Sequence, residues 1–352
     1  MQNHTLIKLI ILLLFFFVSS SFHLVYSQSL DDDFILINRW HFPNNIATGY
    51  VWDAFLDMDR QLSLMFFRDG IKIISSSGVE DLTRVGQGPG EMERWVAMFL
   101  TGPYLIDVER SGKLIYFKKD NNSYKYDKTL WLDSTRNFPF IKGAVFSDGK
   151  WYLAGFSSIW EEKPHRVHGY FLSVYKNGKQ IKQLFYKDFN GIYRGPNLLT
   201  AHIKLFNKNV WMMLASEPEV HIFDTEKDIL IKKVPLRMPE FYRPIQDYIP
   251  WRRYSLDKLP KIYEDWELSY SRIENFIVNE KYLTIQIRTA NPLKPKFAML
   301  FFDTKKFALN KIYFCNDLLL TEKDGEYYFF ENGDPGFDEE ATCVSIKIYK
   351  KK

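Results

Sequence analysis

Short apolar segments recur along this chain, and polar turns separate them. Six segments have the strongest apolar character: Leu62–Phe67, Tyr104–Val108, Trp151–Phe156, Val210–Ala215, Tyr282–Ile287 and Glu326–Phe330. Their first residues lie 42, 47, 59, 72 and 44 positions apart, which fits a unit of 42 to 47 residues interrupted by insertions. A sheet of that length cannot bury both of its faces alone, so its repetition in series predicts a β-propeller.

The pattern within these segments is that of β-strands. Side chains in Tyr282–Arg288 alternate, with Leu and Ile pointing one way and Thr, Gln and Arg the other. By contrast, Leu62–Phe67 and Val210–Leu214 are apolar on both faces. Alternation with a period of two is the signature of a strand, and a doubly apolar strand is expected between two adjacent blades. The pattern argues against a helical repeat.

The closest internal copy pairs Val220–Lys227 with Met299–Lys306. Each segment is an apolar strand that ends in Phe-Asp-Thr, and a polar turn and a second strand follow it. The Asp of such a turn can accept hydrogen bonds from backbone amides two residues on. We therefore predict an all-β fold, a single six-bladed β-propeller with four-stranded antiparallel blades.

The ends of the chain predict how the ring closes. Phe34–Trp40 and Val344–Tyr349 are strand-like segments on opposite sides of the repeats. A circular array leaves unpaired strand edges unless its first strand joins its last blade, so we predict that the N-terminal strand pairs into the C-terminal blade. The propeller is expected to span about residues 31–350. An open solenoid is the alternative, but it needs capping segments, and none is evident in the sequence.

The first 27 residues predict a signal peptide. Lys8 precedes the apolar run Leu9–Val18, which is too short to span a bilayer comfortably. Val25-Tyr26-Ser27 offers a small residue before Gln28 as a cleavage site. We therefore expect a secreted or periplasmic protein with no stable membrane insertion after cleavage. An uncleaved membrane anchor is the alternative.

A long insertion at about residues 235–275 supplies the best candidates for ligand binding. It is rich in Pro, and after Pro260 its aromatic residues fall on one face of a predicted short helix. The predicted ligand-binding residues here are Tyr242, Arg243, Trp251, Arg252, Arg253 and Trp266. Aromatic and Arg side chains are enriched at binding hot spots, and Arg can bind carboxylates bidentately. Alternatively, the same aromatic side chains fix the insertion to the propeller.

A glycine-rich turn follows the first repeat. It reads Arg84-Val85-Gly86-Gln87-Gly88-Pro89-Gly90-Glu91, and its backbone amides, together with Arg84, Gln87 and Glu91, are candidates for ligand binding. Neither a helix pattern nor Lys-Ser/Thr follows, so this is not a nucleotide-binding phosphate loop. The alternative is a purely structural connection between two blades, with Glu91 or Arg84 bonding to the next blade.

With this turn, the chain resembles exported bacterial six-bladed propellers related to the NHL-repeat and TolB-like families. In those proteins a Gly-x-Gly-Pro-Gly-Glu turn commonly links one blade to the next, as Gly86–Glu91 does here. The other repeats lack a second good copy of this motif. The resemblance implies a binding or scaffold role, and it transfers no catalytic residues.

A metal-assisted enzyme is the second hypothesis. Six-bladed lactonases, which this architecture also resembles, hold a divalent metal in the central channel, and Asp53, Asp107 and Asp148 are candidate carboxylates from their position near innermost strands. His165 and His168 are spaced as metal ligands can be, against ordinary solvated or hydrogen-bonded histidines. No Gly-x-Ser-x-Gly motif is present, no metal site is identified, and no cofactor is predicted.

Charge, cysteine content and the candidate residues together limit the possible functions of the protein. Lys and Arg number 47 against 43 Asp and Glu, which is too even a balance to indicate a nucleic-acid partner. Cys315 and Cys343 could form a disulfide between neighbouring blades or remain buried thiols. The sequence favours a binding module for a protein, peptide or glycan over an enzyme. A structural component of an envelope complex is the third hypothesis.

Overall fold

The computed structural model describes residues 27–43, 47–48, 51–66, 69–86, 88, 90–93, 97–121, 123–133, 140–161, 166–188, 200–245, 259–290, 296–331, 340–341 and 343–352. Strands dominate these residues. They form six four-stranded antiparallel blades arranged as a propeller, so the predicted fold class is confirmed.

The elements follow the repeats of the sequence. An N-terminal segment comes first: β1 (Ser27–Ser29), α1 (Leu30–Asp33), β2 (Phe34–Phe42) and β3 (Ala47–Thr48). Blades 1 to 3, each from its inner to its outer strand, are β4 (Val51–Leu56), β5 (Leu62–Phe66), β6 (Gly70–Ser75), β7 (Gly78–Thr83); β8 (Ala97–Thr101), β9 (Tyr104–Val108), β10 (Lys113–Asp120), β11 (Ser123–Trp131); and β12 (Phe140–Ser147), β13 (Lys150–Glu161), β14 (Arg166–Lys176), β15 (Lys179–Asp188).

The second half repeats this order. Blade 4 contains β16 (Ala201–Phe206), β17 (Asn209–Leu214), β18 (Glu219–Asp224) and β19 (Ile229–Pro235), and α2 (Leu259–Leu268) follows it. Blade 5 contains β20 (Arg272–Val278), β21 (Tyr282–Arg288), β22 (Phe297–Asp303) and β23 (Leu309–Cys315). Blade 6 is built from β24 (Leu318–Lys323), β25 (Glu326–Phe330) and β27 (Val344–Lys351), while the short β26 (Glu340–Ala341) pairs with β3.

Burial depends on the position of a strand within its blade. Each of the six apolar segments found in the sequence lies in the second strand of a blade, and β5 is buried along its whole length. Outer strands such as β19 are mostly exposed. The second strand has neighbours within its own blade and between blades on both faces, so both faces are buried, whereas the outer strand has water on one side. In β21 one of the two buried faces is polar and carries Thr284, Gln286 and Arg288.

The Phe-Asp-Thr copies occupy equivalent positions, since each ends the third strand of a blade. Asp224 Oδ1 accepts hydrogen bonds from the backbone N–H groups two and three residues on, at 2.8 and 2.7 Å. Asp303 Oδ1 does the same at 2.9 and 2.6 Å. The Asp side chain therefore holds both turns, as the sequence predicted.

The N-terminal strand closes the ring. β2 pairs antiparallel with β27, from Phe34 opposite Lys351 to Phe42 opposite Val344, and so becomes the outer strand of blade 6. Inner strands contact one another around the axis, and β24 of the last blade contacts β4 of the first. The predicted closure is confirmed. In addition, β1 pairs in parallel with β23.

The strand order places the two candidate binding segments on one face of the ring. Inner strands all run in the same sense, so connections from an outer strand to the next inner strand lie on a single face. Gly86–Glu91 lies between β7 and β8, and residues 236–271 connect β19 to β20. We call this face the insertion face. Turns such as Asp148–Gly149, between β12 and β13, lie on the opposite face.

Three carboxylates were candidates for a central metal site, and only Asp53 lies on an inner strand. Asp148 lies in a turn on the opposite face. Asp107 belongs to the second strand β9, and its cross-strand neighbours Met98 and Ile115 are part of the apolar cluster between blades 1 and 2. Asp107 is therefore next to an innermost strand, as expected, but it lies among the apolar residues between two blades. Within the described residues neither of its carboxylate oxygens has a hydrogen-bond partner.

Both cysteine thiols are free. Cys315 is buried near the end of β23, and burial raises the pKa of its thiol to about 12. Cys343 is half-buried just before β27. Of the two possibilities left by the sequence, the structure has separate thiols rather than a disulfide.

Phe34 tests the importance of ring closure. This side chain of β2 is 2% exposed, and its ring lies edge-on to Tyr313 at 5.2 Å and to Tyr327 at 5.3 Å between ring centroids. We expect Phe34→Ala to lower the free energy of unfolding by about 3–5 kcal/mol, as for other large-to-small core substitutions. Ile35→Ala, at a side chain 52% exposed on the same strand, should change it by less than about 0.5 kcal/mol. Urea denaturation measures both, and equal losses would contradict the described closure.

Asp107 predicts an unusual dependence of stability on pH. Burial, and then the charge of Glu109, raise the pKa of the Asp107 carboxyl well above its ordinary value. The folded state therefore holds a proton that the unfolded state releases above about pH 3.9, so this group makes stability fall as pH rises toward its folded pKa. We expect Asp107→Asn to raise the free energy of unfolding at pH 8 by about 1 kcal/mol or more and to gain less at pH 5. Asp127→Asn, at an exposed residue of the same blade, is the matched control. A less stable Asp107→Asn variant at pH 8 would refute the unpaired state of this carboxyl.

Candidate functional site

Charged side chains from four blades meet at the axis of the ring. Their interactions cross blade boundaries: Lys142 lies within electrostatic range of Asp53, His202 and Glu274, which belong to three other blades. The set, which we call the axial cluster, comprises Asp53 of β4, Lys142 of β12, His202 and Lys204 of β16, and Arg272 and Glu274 of β20. The inner strands of blades 2 and 6 begin with buried apolar residues instead, Ala97–Phe99 and Leu318–Leu320.

β-Bulges help to aim these side chains. In blade 3 the pairing between β12 and β13 shifts between Ile141 and Gly143, so Lys142 is the extra residue of a bulge. In blade 5 the pairing shifts between Ile273 and Asn275, which makes Glu274 the extra residue. A bulge re-aims one side chain without changing the rest of the strand. Two members of the axial cluster are thus placed by irregularities of otherwise regular inner strands.

Asp53 and Lys204 attract each other without forming an ion pair among the described contacts. Asp53 accepts hydrogen bonds from the backbone N–H groups of Ala54 at 2.9 Å and Met98 at 3.2 Å. Burial raises the pKa of Asp53, and the charges of Lys204 and Lys142 offset part of that effect. Burial likewise lowers the pKa of Lys204, and Asp53 offsets part of it. Loss of hydration therefore outweighs the attraction between these two groups.

His202 is a neutral hydrogen-bond donor in this cluster. Its Nε2 lies 3.1 Å from the carbonyl oxygen of Ile273, and because a carbonyl oxygen can only accept, Nε2 carries the proton. Burial, then the positive charge of Lys142, lower the pKa of His202 well below its ordinary value. The ring therefore adds no positive charge, and it links the inner strands of blades 4 and 5.

The insertion reaches the axial cluster through an ion-pair network. Arg272 donates from Nη1 to Glu267 Oε1 of α2 at 2.5 Å and from Nε to Glu274 Oε1 at 2.8 Å. Arg288 of β21 lies 3.9 Å from Glu267 and 3.8 Å from Glu274. Burial would raise the pKa of Glu274, but Arg272 and Arg288 hold it below its ordinary value. Two arginines and two carboxylates therefore join α2 to the inner end of blade 5.

The predicted ligand residues of the insertion have different surroundings. Tyr242 is buried in the apolar cluster of blades 4 and 5, which agrees with the interpretation that aromatic residues fix the insertion to the propeller. Arg243 keeps an exposed side chain, while its carbonyl oxygen accepts from the Ser271 backbone N–H at 2.8 Å. Trp266 is half-buried, and its ring packs edge-on against Tyr270 with centroids 5.7 Å apart.

The glycine-rich turn is held by its own carboxylate. Glu91 Oε2 accepts the Gly88 backbone N–H at 2.6 Å, and a Cβ at Gly86 would stand 2.2 Å from that oxygen. Lys113 of the next blade donates from Nζ to the Glu91 carbonyl oxygen at 3.0 Å. These contacts suit a connection between blades 1 and 2. Arg84 exposes its side chain, and its role in binding stays a prediction.

Several predicted residues lie outside the described residues: Gln87, Trp251, Arg252, Arg253 and His165. Their part in binding stays a prediction. His168 is buried, and its Nδ1 lies 2.7 Å from the hydroxyl of Tyr186. Among the described residues, no three His, Cys, Asp or Glu side chains come close enough to share a metal ion. Neither α1 nor α2 has the length and apolar composition needed to cross a membrane.

The axial cluster was largely missed in the sequence, where only Asp53 was singled out. A usable signal exists, because the first strand of several repeats has a lone charged residue among apolar ones. Lys204 between Ile203 and Leu205 is an example. What the sequence does not give is which strand of a repeat is innermost, since Asp107 shows the same pattern in a second strand.

Comparisons with known proteins support the fold. Neither the family models nor the curated proteins include a match. Among solved structures, a Bacteroides fragilis protein provisionally described as exported has 14% identity over 93% of this chain and 98% of its own, with a TM-score of 0.58. The WD40 domain of Neurospora crassa Pan2 has 10% identity over 66% of this chain and 55% of its own, with a TM-score of 0.37. The CNH domain of AfRom2 has 11% identity over 88% of this chain and 98% of its own, with a TM-score of 0.39. The resemblance to NHL-repeat and TolB-like proteins is not confirmed, and the similarity to the Bacteroides fragilis protein shows the fold alone.

Proposed function

We propose that this protein is an exported binding module that holds a peptide, glycan or protein partner on the insertion face. The observation that carries this proposal is the ion pair between Glu267 of α2 and Arg272 at the start of β20. It fixes the insertion beside the axial cluster. A partner seated on the insertion therefore contacts charged side chains at the axis as well as the aromatic and Arg residues of the insertion.

The residue types on this face support a binding role. Arg84 and Arg243 expose their side chains from two different connections of the same face, and Arg can bind a carboxylate with two parallel hydrogen bonds. Trp266 is half-buried, so part of its side chain reaches the surface. Aromatic and Arg side chains are the types that contribute most to binding energy at interfaces. Gln87 and the predicted residues Trp251, Arg252 and Arg253 belong to the same two connections.

The proposal places the protein in the periplasm or outside the cell. It rests on the charged start, apolar run and small residue before Gln28 within residues 1–27. The Bacteroides fragilis protein with the same fold, provisionally described as exported, agrees with this location. After cleavage before Gln28, two residues of β1 remain to pair with β23.

Site-specific photo-cross-linking tests the binding proposal. A photoreactive phenylalanine analogue replaces Arg84 or Arg243 on the insertion face, or Glu226 in an exposed turn on the opposite face, in cells that make the full chain. We expect discrete cross-linked products from the two insertion-face variants and none from the Glu226 variant. Mass spectrometry identifies the partner. Equal labelling from both faces, or products from Glu226 alone, would contradict the proposal.

N-terminal sequencing tests the location. Protein recovered from the periplasm or medium should begin at Gln28, because the small residue Ser27 stands before the cleavage site. Replacing Ser27 with Arg should slow processing, whereas replacing Ser29 with Arg should leave the site of cleavage in place. Protein that retains Met1 and stays in the cytoplasm of its native host would overturn this part of the proposal.

A further inference from the structure

Exposed apolar side chains recur on the outer strands of three consecutive blades, blades 2, 3 and 4. Leu130 and Trp131, at the end of β11, are 45% and 64% exposed, and Ile181 of β15 is 51% exposed. The three aliphatic residues 229–231, which begin β19, are each 43–50% exposed. Single exposed apolar residues are ordinary, but a set of them on neighbouring strands marks an interaction surface.

These three strands follow one another along the rim of the ring. The backbone N–H of Asp133, two residues beyond β11, donates to the carbonyl oxygen of Gly178 in the turn before β15, at 2.5 Å. Lys182 of β15 donates from Nζ to the carbonyl oxygen of Asp228, the residue before β19, at 2.6 Å. The end of β11, the start of β15 and the start of β19 are therefore neighbours. We call their exposed apolar residues the rim patch: Leu130, Trp131, Ile181 and residues 229–231.

Lysines are interleaved with the rim patch. The strands β11, β15 and β19 contain seven lysines, two aspartates and no arginine. Three of the lysines form ion pairs with carboxylates outside these strands. The other four have no ion pair with any described carboxylate, and they are Lys128, Lys179, Lys182 and Lys232.

The positive charge of these lysines is only partly offset. Lys176 and Lys227, beside the adjoining turns, raise the number of exposed lysines without an ion pair in the described region to six. The exposed carboxylates without an ion pair in the same described region are three, Asp127, Asp133 and Glu226. Asp228 adds no charge to this balance, because Lys150 binds its carboxylate at 2.8 Å. The rim patch is therefore an apolar surface within a positively charged one.

Residue types distinguish between the possible occupants of such a surface. Protein interfaces are enriched in Arg and depleted in Lys, whereas the three strands have lysine and no arginine. A second copy of the same patch would bring lysine against lysine, which is unfavourable. Lysines beside exposed Trp and aliphatic side chains are typical of surfaces that lie in the headgroup region of an anionic bilayer.

We propose that the rim patch is a peripheral docking surface for an anionic phospholipid membrane. Trp131 and Ile181 enter the boundary between headgroups and acyl chains, while the ammonium groups of the neighbouring lysines bind lipid phosphates. Docking of this kind is reversible and needs no segment that crosses the bilayer. The patch uses residues other than those of the insertion face, so this proposal goes beyond the proposed function.

Vesicle flotation with the mature chain tests the proposal. The probes are vesicles of phosphatidylcholine alone and vesicles of phosphatidylcholine mixed with phosphatidylglycerol. We expect the protein to float with the anionic vesicles and not with the neutral ones. Raising the salt from about 0.1 M to about 1 M should release it, because screening weakens the attraction between lysines and phosphates. No flotation with anionic vesicles, or equal flotation with both kinds, would overturn the inference.

Matched variants assign the binding to the rim patch. Ile181→Ser should lower the partition coefficient on anionic vesicles about ten-fold through lost apolar burial. Ile35→Ser, at a side chain 52% exposed on β2, should leave that coefficient within about two-fold. Equal losses from the two isoleucine variants would contradict the proposed location.

The lysines are tested in the same assay. Replacing both Lys179 and Lys182 with Gln should lower the partition coefficient about twenty-fold, at about five-fold for each lysine. The same double change at Lys305 and Lys306, two exposed residues in a turn of blade 5, is the control and should have a much smaller effect. Equal losses from the two double variants would show that only net charge matters, and would overturn the assignment.

Photo-cross-linking in cells decides between a membrane and a protein at this surface. A photoreactive phenylalanine analogue at Ile181 of the full chain should form adducts with phospholipid, which mass spectrometry identifies. A discrete product with a second copy of the chain or with another protein, and no lipid adduct, would overturn the inference. Neither result changes the expected cross-links from Arg84 and Arg243, so the two proposals fail or succeed separately.

Discussion

The pairing of β2 with β27 is the interaction on which the rest of the structure depends. Without it, blade 6 would end in an open strand edge, and the aromatic contacts of Phe34 with blades 5 and 6 would be lost. With it, every blade has a neighbour on each side, and the six inner strands must surround one axis. The axial cluster is a consequence of that closure, because its members come from four blades that meet nowhere else.

The fold was readable from the sequence because burial in a propeller is unequal among strands. Second strands such as β5 and β17 are buried on both faces, and they produced the regularly spaced apolar segments. Two turns could even be assigned a mechanism, since Asp224 and Asp303 hold the backbone amides that follow them. Ring closure could be predicted because an unpaired strand edge in the last blade is unfavourable. The small strand β1 was missed, because three polar residues carry no apolar period and their pairing with β23 uses only the backbone.

Much less of the candidate site than of the fold could be predicted from the sequence. Lys142 and Glu274 are separated by more than a hundred residues, and each owes its direction to a bulge that leaves no trace in an apolar-polar pattern. Asp53 and Asp107 both stand alone among apolar residues in the sequence. Asp53 faces the axis because it is in the first strand of its blade, whereas Asp107 lies between blades because it is in the second strand. The glycine-rich turn was conspicuous for its composition. In the structure that composition makes room for the Glu91 carboxylate.

The order of the strands also bears on how the molecule is completed during synthesis. The outer strand of blade 6, β2, leaves the ribosome before any blade exists, while its partner β27 is made last. Until Val344–Lys351 has emerged, β2 lacks the strand with which it pairs. Blades 1 to 5 can pack against one another in the order in which they are made, but β2 stays unpaired until the last strand of the chain is made. Ile35, Leu36 and Ile37 of β2 are about half exposed even in the closed ring, so before β27 is made this strand presents apolar side chains to water together with an unpaired strand edge.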